Sequence, residues 1–208
     1  ETVWVQVVAE DGTWGLGRTS FGEPVAALID YFYAPLLQGR DCFATEHLND
    51  MMWRASKRHG SLGLSACAQS AIDLALWDLK GKLLEQPVYR LLGGPSHEKI
   101  RAYCTGDDLD WAQELGFNAF KITNPAHYEQ GIAGINIVED KVGAARDAVG
   151  QNAELMINPV MAYDVDFAVR LCQRLRPYEL RWLEEPLIPE DLEGHIQLRK
   201  AVPWMPIA

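Results

Sequence analysis

The sequence predicts an α/β protein in two parts: a helical region opened by a β-hairpin, then about half of a parallel β/α barrel. Three observations carry this reading. Apolar residues alternate on both sides of an Asp-Gly turn near the start of the chain. A long segment in the first half repeats its apolar residues at helical spacing. In the second half, short strand-like runs alternate with helix-length segments, the pattern of parallel βα units.

Residues 2–9 alternate, with Val3, Val5 and Val7 on one face. Asp11-Gly12 supplies the turn, and 14–18 return as the second strand. Residues 24–36 predict a helix with Pro24 in its first turn. Residues 45–56 predict another, with Thr45 as its cap. Residues 57–63 form a glycine-broken loop carrying Lys57, Arg58 and His59. Residues 65–84 give the strongest helical pattern. Ile72, Ala75, Leu76, Leu79 and Leu83 share one face, and Asp78 and Lys82 stand four apart on the polar side. A boundary is expected within 93–99, giving domains 1–96 and 97–208.

The rhythm then changes. Strands are expected at 100–104, 118–122, 154–158, 180–184 and 205–208, with helices at 109–115, 135–149, 163–175 and 190–200. A doubly wound open sheet is the structural alternative, but no GxGxxG follows any strand. Glu1 falls inside a strand pattern and the last residues stop partway along another, so the protein is expected to continue on both sides.

Among the 208 residues, 48% are apolar and 23% charged, ordinary values for a packed domain. The net charge of −10, with no Lys/Arg cluster to offset it, argues against a nucleic-acid surface. No apolar run has the length needed to cross a bilayer. Cys42, Cys67, Cys104 and Cys172 are scattered without metal-binding spacing and are read as reduced core thiols of a cytoplasmic protein.

The chemistry-bearing residues lie at strand ends. In a β/α barrel, the C-terminal ends of neighbouring strands form the active-site face. Asn158 and Glu184 end two successive strands and would point an amide and a carboxylate into one space. Such oxygen donors suit a hard cation such as Mg2+. The alternative is a β/α fold that merely carries polar residues at its strand ends. Lys121 and Thr123 alternate with Phe120 and Ile122 and would face the barrel interior. A lysine there needs a carboxylate. Glu184 or a substrate could supply one, so Lys121 is either a substrate-binding ammonium or half of a structural ion pair. Glu185 would point to the opposite face and serve a supporting role. His127 follows the second barrel strand, where it could reach a substrate or simply be solvated. The loop at 57–63 is either a lid or a solvated basic turn. His47, His97 and His195 are given no role.

Two segments of the first half resemble the junction helix of the enolase superfamily: Ala71-Ile-Asp-Leu-Ala-Leu-Trp-Asp-Leu-Lys-Gly81 and Pro87-Val-Tyr-Arg-Leu-Leu-Gly-Gly94. The strand ending at Lys121 and the Trp182-Leu-Glu-Glu-Pro186 segment resemble its mandelate racemase subgroup. The sequences after Tyr103 and around Met161 look most like sugar-acid dehydratases. The similarity spans essentially the whole chain. It implies a modified TIM-type (β/α)7β barrel, about half of it present, under an N-terminal α+β capping domain. It also implies a Mg2+ ion held by three acidic residues at consecutive strand ends, a sugar-acid substrate and a homo-oligomer. In the implied reaction a base removes the proton next to the substrate carboxylate, water leaves, and a 2-keto-3-deoxy acid results.

By this resemblance Glu184 matches the second metal ligand, and Lys121 the first lysine of the family's Lys-x-Lys motif. Three departures follow. Asn158 stands where the first ligand is usually Asp, which removes a negative charge. Thr123 stands where the second lysine, one of the two bases of a racemase, would be. The third ligand and a His-Asp base would lie beyond Ala208. The leading expectation is a dehydratase. A cycloisomerase or epimerase of the same superfamily, or a catalytically silent homologue with a weakened metal site, are the alternatives.

Overall fold

In the computed structural model, which describes residues 1–208, the chain divides into two units, Glu1–Lys99 and Ile100–Ala208. The first unit opens with the antiparallel pair β1 (Thr2–Val8) and β2 (Trp14–Ser20), in which Val5 faces Gly17. Asp11 Oδ1 accepts from Thr13 N–H and holds the connecting turn. Val3, Val5 and Val7 turn toward the unit's core, while Trp4, Gln6 and Val8 are exposed.

The expected helix at 24–36 begins earlier and changes pitch. It runs as α1 (Gly22–Ala27), a π-helical stretch (Leu28–Tyr33) and α2 (Ala34–Leu37). The wider turn sets Ile29 and Tyr33 inward, and Tyr33 Oη donates to Ser65 O. Helix α3 (Thr45–Ser56) has the expected span, but Thr45 is not its cap. Ala44 holds that position, and Thr45 is buried within the first turn.

Helix α4 (Leu64–Leu83) buries Ala68, Ala71, Ile72, Ala75, Leu76 and Leu79. Strand β2 lies directly on this face because Gly15 and Gly17 carry no side chain. A Cβ on Gly17 would stand 1.8 Å from Ala71 O, and one on Gly15 2.0 Å from Ala75 O. Asp78 and Lys82 form the expected pair at 2.7 Å and also hold β2. Asp78 Oδ2 accepts from Leu16 N–H, and Lys82 Nζ donates to Trp14 O. The short α5 (Val88–Leu91) ends the helical run.

The second unit is a four-stranded parallel sheet in the order β3-β4-β5-β6. Its strands are β3 (Cys104–Thr105), β4 (Ala119–Thr123), β5 (Glu154–Asn158) and β6 (Trp182–Leu183). Helices α6 (Leu109–Glu114), α7 (Gly131–Val149), α8 (Val165–Leu175) and α9 (Leu192–Ala201) alternate with them. Sequential order of parallel strands is the start of a barrel wall. A further parallel bridge joins Leu183 to Ile207 and continues that wall. Strand β3 is shorter than the expected 100–104, because Ile100 to Tyr103 are exposed and Arg101 is drawn to Glu154 at 2.8 Å.

Phe120, Ile122, Leu155 and Ile157 are buried against Ala112, Val138, Val142 and Leu171 of the surrounding helices. Each such side chain contributes roughly 1.5–3 kcal/mol on burial, which fixes the strands' register and so their opposite faces. Asp108, Asp164 and Asp191 cap α6, α8 and α9 by accepting from backbone N–H groups. Only Cys172 is a true core thiol, pushed up to about 12 by burial. Cys42, Cys67 and Cys104 are half-buried at the margins of the two cores, all four being free. No helix is long and apolar enough to cross a membrane.

Candidate active site

Strand register builds the site. Lys121 of β4 pairs with Met156 of β5, which pairs with Trp182 of β6. Side chains alternate along each strand, so Lys121, Trp182 and Glu184 emerge on the face opposite Phe120 and Ile157. Asn158 ends β5, and Glu184 N–H donates to Ile157 O at 3.0 Å, which carries Glu184 to the same level.

These tips meet. Lys121 Nζ donates to Glu184 Oε1 at 2.5 Å, with only 11% and 19% of the two side chains exposed. Asn158 Nδ2 donates to the same oxygen at 2.9 Å, and Trp182 Nε1 donates to Oε2 at 2.9 Å. Three donors therefore converge on one carboxylate. Burial pushes the Glu184 carboxyl up, but the Lys121 and Trp182 bonds outweigh it and leave the group below its ordinary range. Burial pushes the Lys121 ammonium down, and the Glu184 and Tyr103 bonds more than reverse this. Tyr103 touches Lys121 through its hydroxyl at 3.4 Å and lies edge-on to Trp182.

Sequence reasoning missed Trp182 and Tyr103, although alternation signals both. Trp182 lies two residues before Glu184. Tyr103 lies two before Thr105, which pairs with Lys121.

Glu185 departs from its expected position. Its Oε2 accepts from Asn158 Nδ2 at 3.3 Å, on the side where Glu184 lies. Its φ of 45° breaks the alternation that would have turned it away. Val160 and Met161 also have left-handed backbones, with φ 52° and 62°. Such a conformation costs on the order of 1–3 kcal/mol in a non-glycine residue, and it clusters at functional sites. Met161 N–H donates to Glu185 O at 2.7 Å, tying the two strained turns together.

Thr123 does not join the cluster. Its hydroxyl donates to Asp107 Oδ2 and accepts from Lys141 Nζ at 2.8 Å, while its N–H donates to Asp107 Oδ1. Lys141 also pairs with Asp107 at 2.9 Å. Lys141 rises from α7, and no strand pattern could have signalled it. His127 is likewise set apart: its Nδ1 accepts from Glu129 N–H and caps the short turn at 128–130. His195 Nδ1 rests against Asp191 O on α9.

The oxygens of Glu184 and Glu185 could hold a cation. The amide nitrogen that bridges them marks where one would be attracted, so the donor set fits an oxygen-preferring ion. No three Asp, Glu, His or Cys side chains converge anywhere in the chain. A groove of about 910 Å3 in the first unit, lined by Val3, Val5, Val7, Ile29 and Leu76 among others, follows the strand β1 that pairs only with β2 and holds none of these tips.

Two family models match: "Mandelate racemase / muconate lactonizing enzyme, N-terminal domain" over residues 1–93 and "Enolase C-terminal domain-like" over residues 107–208. L-rhamnonate dehydratase of Saccharopolyspora erythraea is 40% identical over 202 residues, which are 97% of this chain and 52% of that protein. The crystal structure of rhamnonate dehydratase from Gibberella zeae complexed with Mg has a TM-score of 0.92 and 33% identity, covering 99% of this chain and 51% of that one. The 3,6-anhydro-D-galactonate cycloisomerase from Zobellia galactanivorans has a TM-score of 0.89 at 33% identity, covering 98% and 58%. The chain thus spans about half the length of the relatives it matches. With nearly all its residues matched by the two paired models, the chain belongs to the mandelate racemase/muconate lactonizing enzyme family of the enolase superfamily, and its parallel sheet is the opening half of that family's barrel.

Proposed function

We propose that this chain is part of a Mg2+-dependent dehydratase of a sugar acid, an aldonate of the rhamnonate kind. In this reading residues 1–96 serve as capping domain and 97–208 as the first half of the barrel. The observation that carries it is the convergence of Lys121, Asn158 and Glu184 at adjoining strand ends. The likeness to L-rhamnonate dehydratase supports the substrate class.

Lys121 orients the substrate by pairing with its carboxylate, for which its nearly buried ammonium is suited. Glu184 would hold the cation, with Glu185 and the Asn158 amide beside it. When bound, Mg2+ would supply Lewis-acid stabilisation of the charge that develops as the proton next to the carboxylate leaves. Tyr103 and Trp182 wall the pair and limit water around it. Thr123 exchanges no proton with the substrate, since its hydroxyl is committed to Asp107 and Lys141. That favours a one-base elimination over a two-base racemisation. The base itself is assigned to none of these residues. A reducing, cytoplasmic setting and a homo-oligomeric state belong to the same proposal, and the four free thiols support the former.

The test is a screen of the full-length protein of which this chain is part against acid sugars with Mg2+, reading 2-keto-3-deoxy product. Turnover of an aldonate is expected, and epimerised or lactonised product instead would favour the cycloisomerase or epimerase reading. A second reading, a catalytically silent homologue, draws on Asn158, which offers its nitrogen rather than its oxygen to the carboxylates. Activity that first arises on Asn158→Asp would favour it.

A further inference from the structure

Asn158 uses every polar atom of its side chain. Nδ2 donates to Glu184 Oε1 at 2.9 Å and to Glu185 Oε2 at 3.3 Å. Oδ1 accepts from Val160 N–H at 2.7 Å. The partners fix this orientation. Turned over, the amide would set its oxygen against two carboxylates and its NH2 against a backbone N–H, leaving all three contacts mismatched.

An aspartate at this place would have two acceptor oxygens, one for Val160 N–H and one for a cation. Asparagine has one. To ligate an ion between the carboxylates, Asn158 must withdraw Oδ1 from Val160, the first residue of the left-handed pair Val160–Met161. That pair is held in turn by Met161 N–H on Glu185 O. One ammonium and one amide share the Glu184 oxygen, and the same amide bridges to Glu185.

We infer that Asn158 is an internal stand-in for the cation: its amide NH2 occupies the point between Glu184 and Glu185 that an ion would take, so ion entry requires the amide to turn and the Val160 turn to be released. This inference rests on the proposed cation site. It makes Asn158 a positioning residue that stabilises the ion-free protein and weakens ion binding together. Asn158→Asp isolates the effect, because a carboxylate keeps an acceptor for Val160 N–H and changes only the donor into a third negative charge.

The experiment compares the full chain and its Asn158→Asp variant by thermal unfolding in EDTA and in Mg2+, and by calorimetric Mg2+ titration. In EDTA the variant is expected to unfold at a lower temperature than the natural protein. Mg2+ is expected to raise the variant's midpoint by more, with a dissociation constant about tenfold lower or less. Folding of the variant only when Mg2+ is present would be the extreme form of the same result. Equal midpoints in EDTA, equal affinities, or a variant that folds under neither condition would overturn the inference. Absence of Mg2+ binding by both proteins would instead remove the cation reading on which it rests. Asn158→Ala serves as the control: it too should lose stability in EDTA, but Mg2+ should not restore it, and full restoration would count against the inference.

Discussion

Replacing Lys121 by Met removes the ammonium while keeping most of the aliphatic stem. Glu184 then retains Trp182 Nε1 and Asn158 Nδ2 but loses its only charged partner. A hydrogen bond to a charged group contributes about 1.5–3 kcal/mol, and breaking a fully buried ion pair costs about 3–5 kcal/mol. Two remaining donors and 19% exposure of Glu184 place this case in the upper part of the first range, at about 2–3 kcal/mol. For a chain of this size that is a fall of roughly 4–12 °C in the unfolding midpoint. The sign with pH is fixed. In the natural protein the Glu184 carboxyl lies below its ordinary range, so its contribution is present above the unfolded-state value and lost as pH falls through the folded one. Without Lys121, two of the influences that lower the group are gone, and burial is opposed only by the Trp182 and Asn158 bonds. The variant's deficit should therefore be largest near neutrality and shrink as pH falls below the ordinary carboxylate range. Circular dichroism melts at several pH values provide the assay. An unchanged midpoint would mean that the pair contributes no net stability. A deficit that ignores pH would mean that packing, not charge, was lost.

Glu184→Gln should weaken Mg2+ binding by about tenfold or more, the effect of about 1.4 kcal/mol; an unchanged titration would take Glu184 out of the cation site. Gly17→Ala should destabilise the first unit by about 3 kcal/mol, since the new Cβ meets the backbone of Ala71, which cannot rotate aside. A native-like melt would show that β2 can lift from α4. Arg146 is 3% exposed and its guanidinium donates to the carbonyls of Gly150, Ala153, Tyr178 and Glu179. Arg146→Met should cost about 3–5 kcal/mol by orphaning those acceptors, and a loss under 1 kcal/mol by denaturant titration would contradict this.

Periodicity made much of the fold legible. Helix α3 and strand β5 have the spans their patterns predict, because strong apolar spacing is bounded by polar breaks. Strand alternation likewise set Lys121 apart from Phe120 and Ile122. Features that depend on backbone exceptions stayed hidden. The left-handed φ of Glu185 falls on a residue type that seldom adopts it, so alternation aimed the side chain wrongly. The π-helical stretch at Leu28–Tyr33 has no distinguishing spacing. Thr123 sits where alternation puts it, yet its hydroxyl is captured by Asp107 and by Lys141 from a helix whose rotation the strand pattern does not encode. Nor does the asparagine letter say which end of its amide meets the carboxylates; only the neighbouring groups decide that.

The central claim is that these strand-end groups serve the elimination of water from a sugar acid. Turnover of an aldonate in D2O by the full-length protein of which this chain is part, followed by NMR of the product, tests it most directly. Removal of the C2 proton, loss of the 3-hydroxyl and ketonisation would leave one solvent deuterium at C3 of a 2-keto-3-deoxy acid, and Lys121→Met would suppress its formation. Deuterium at C2 of an intact sugar acid, or unaltered product formation by Lys121→Met, would contradict it.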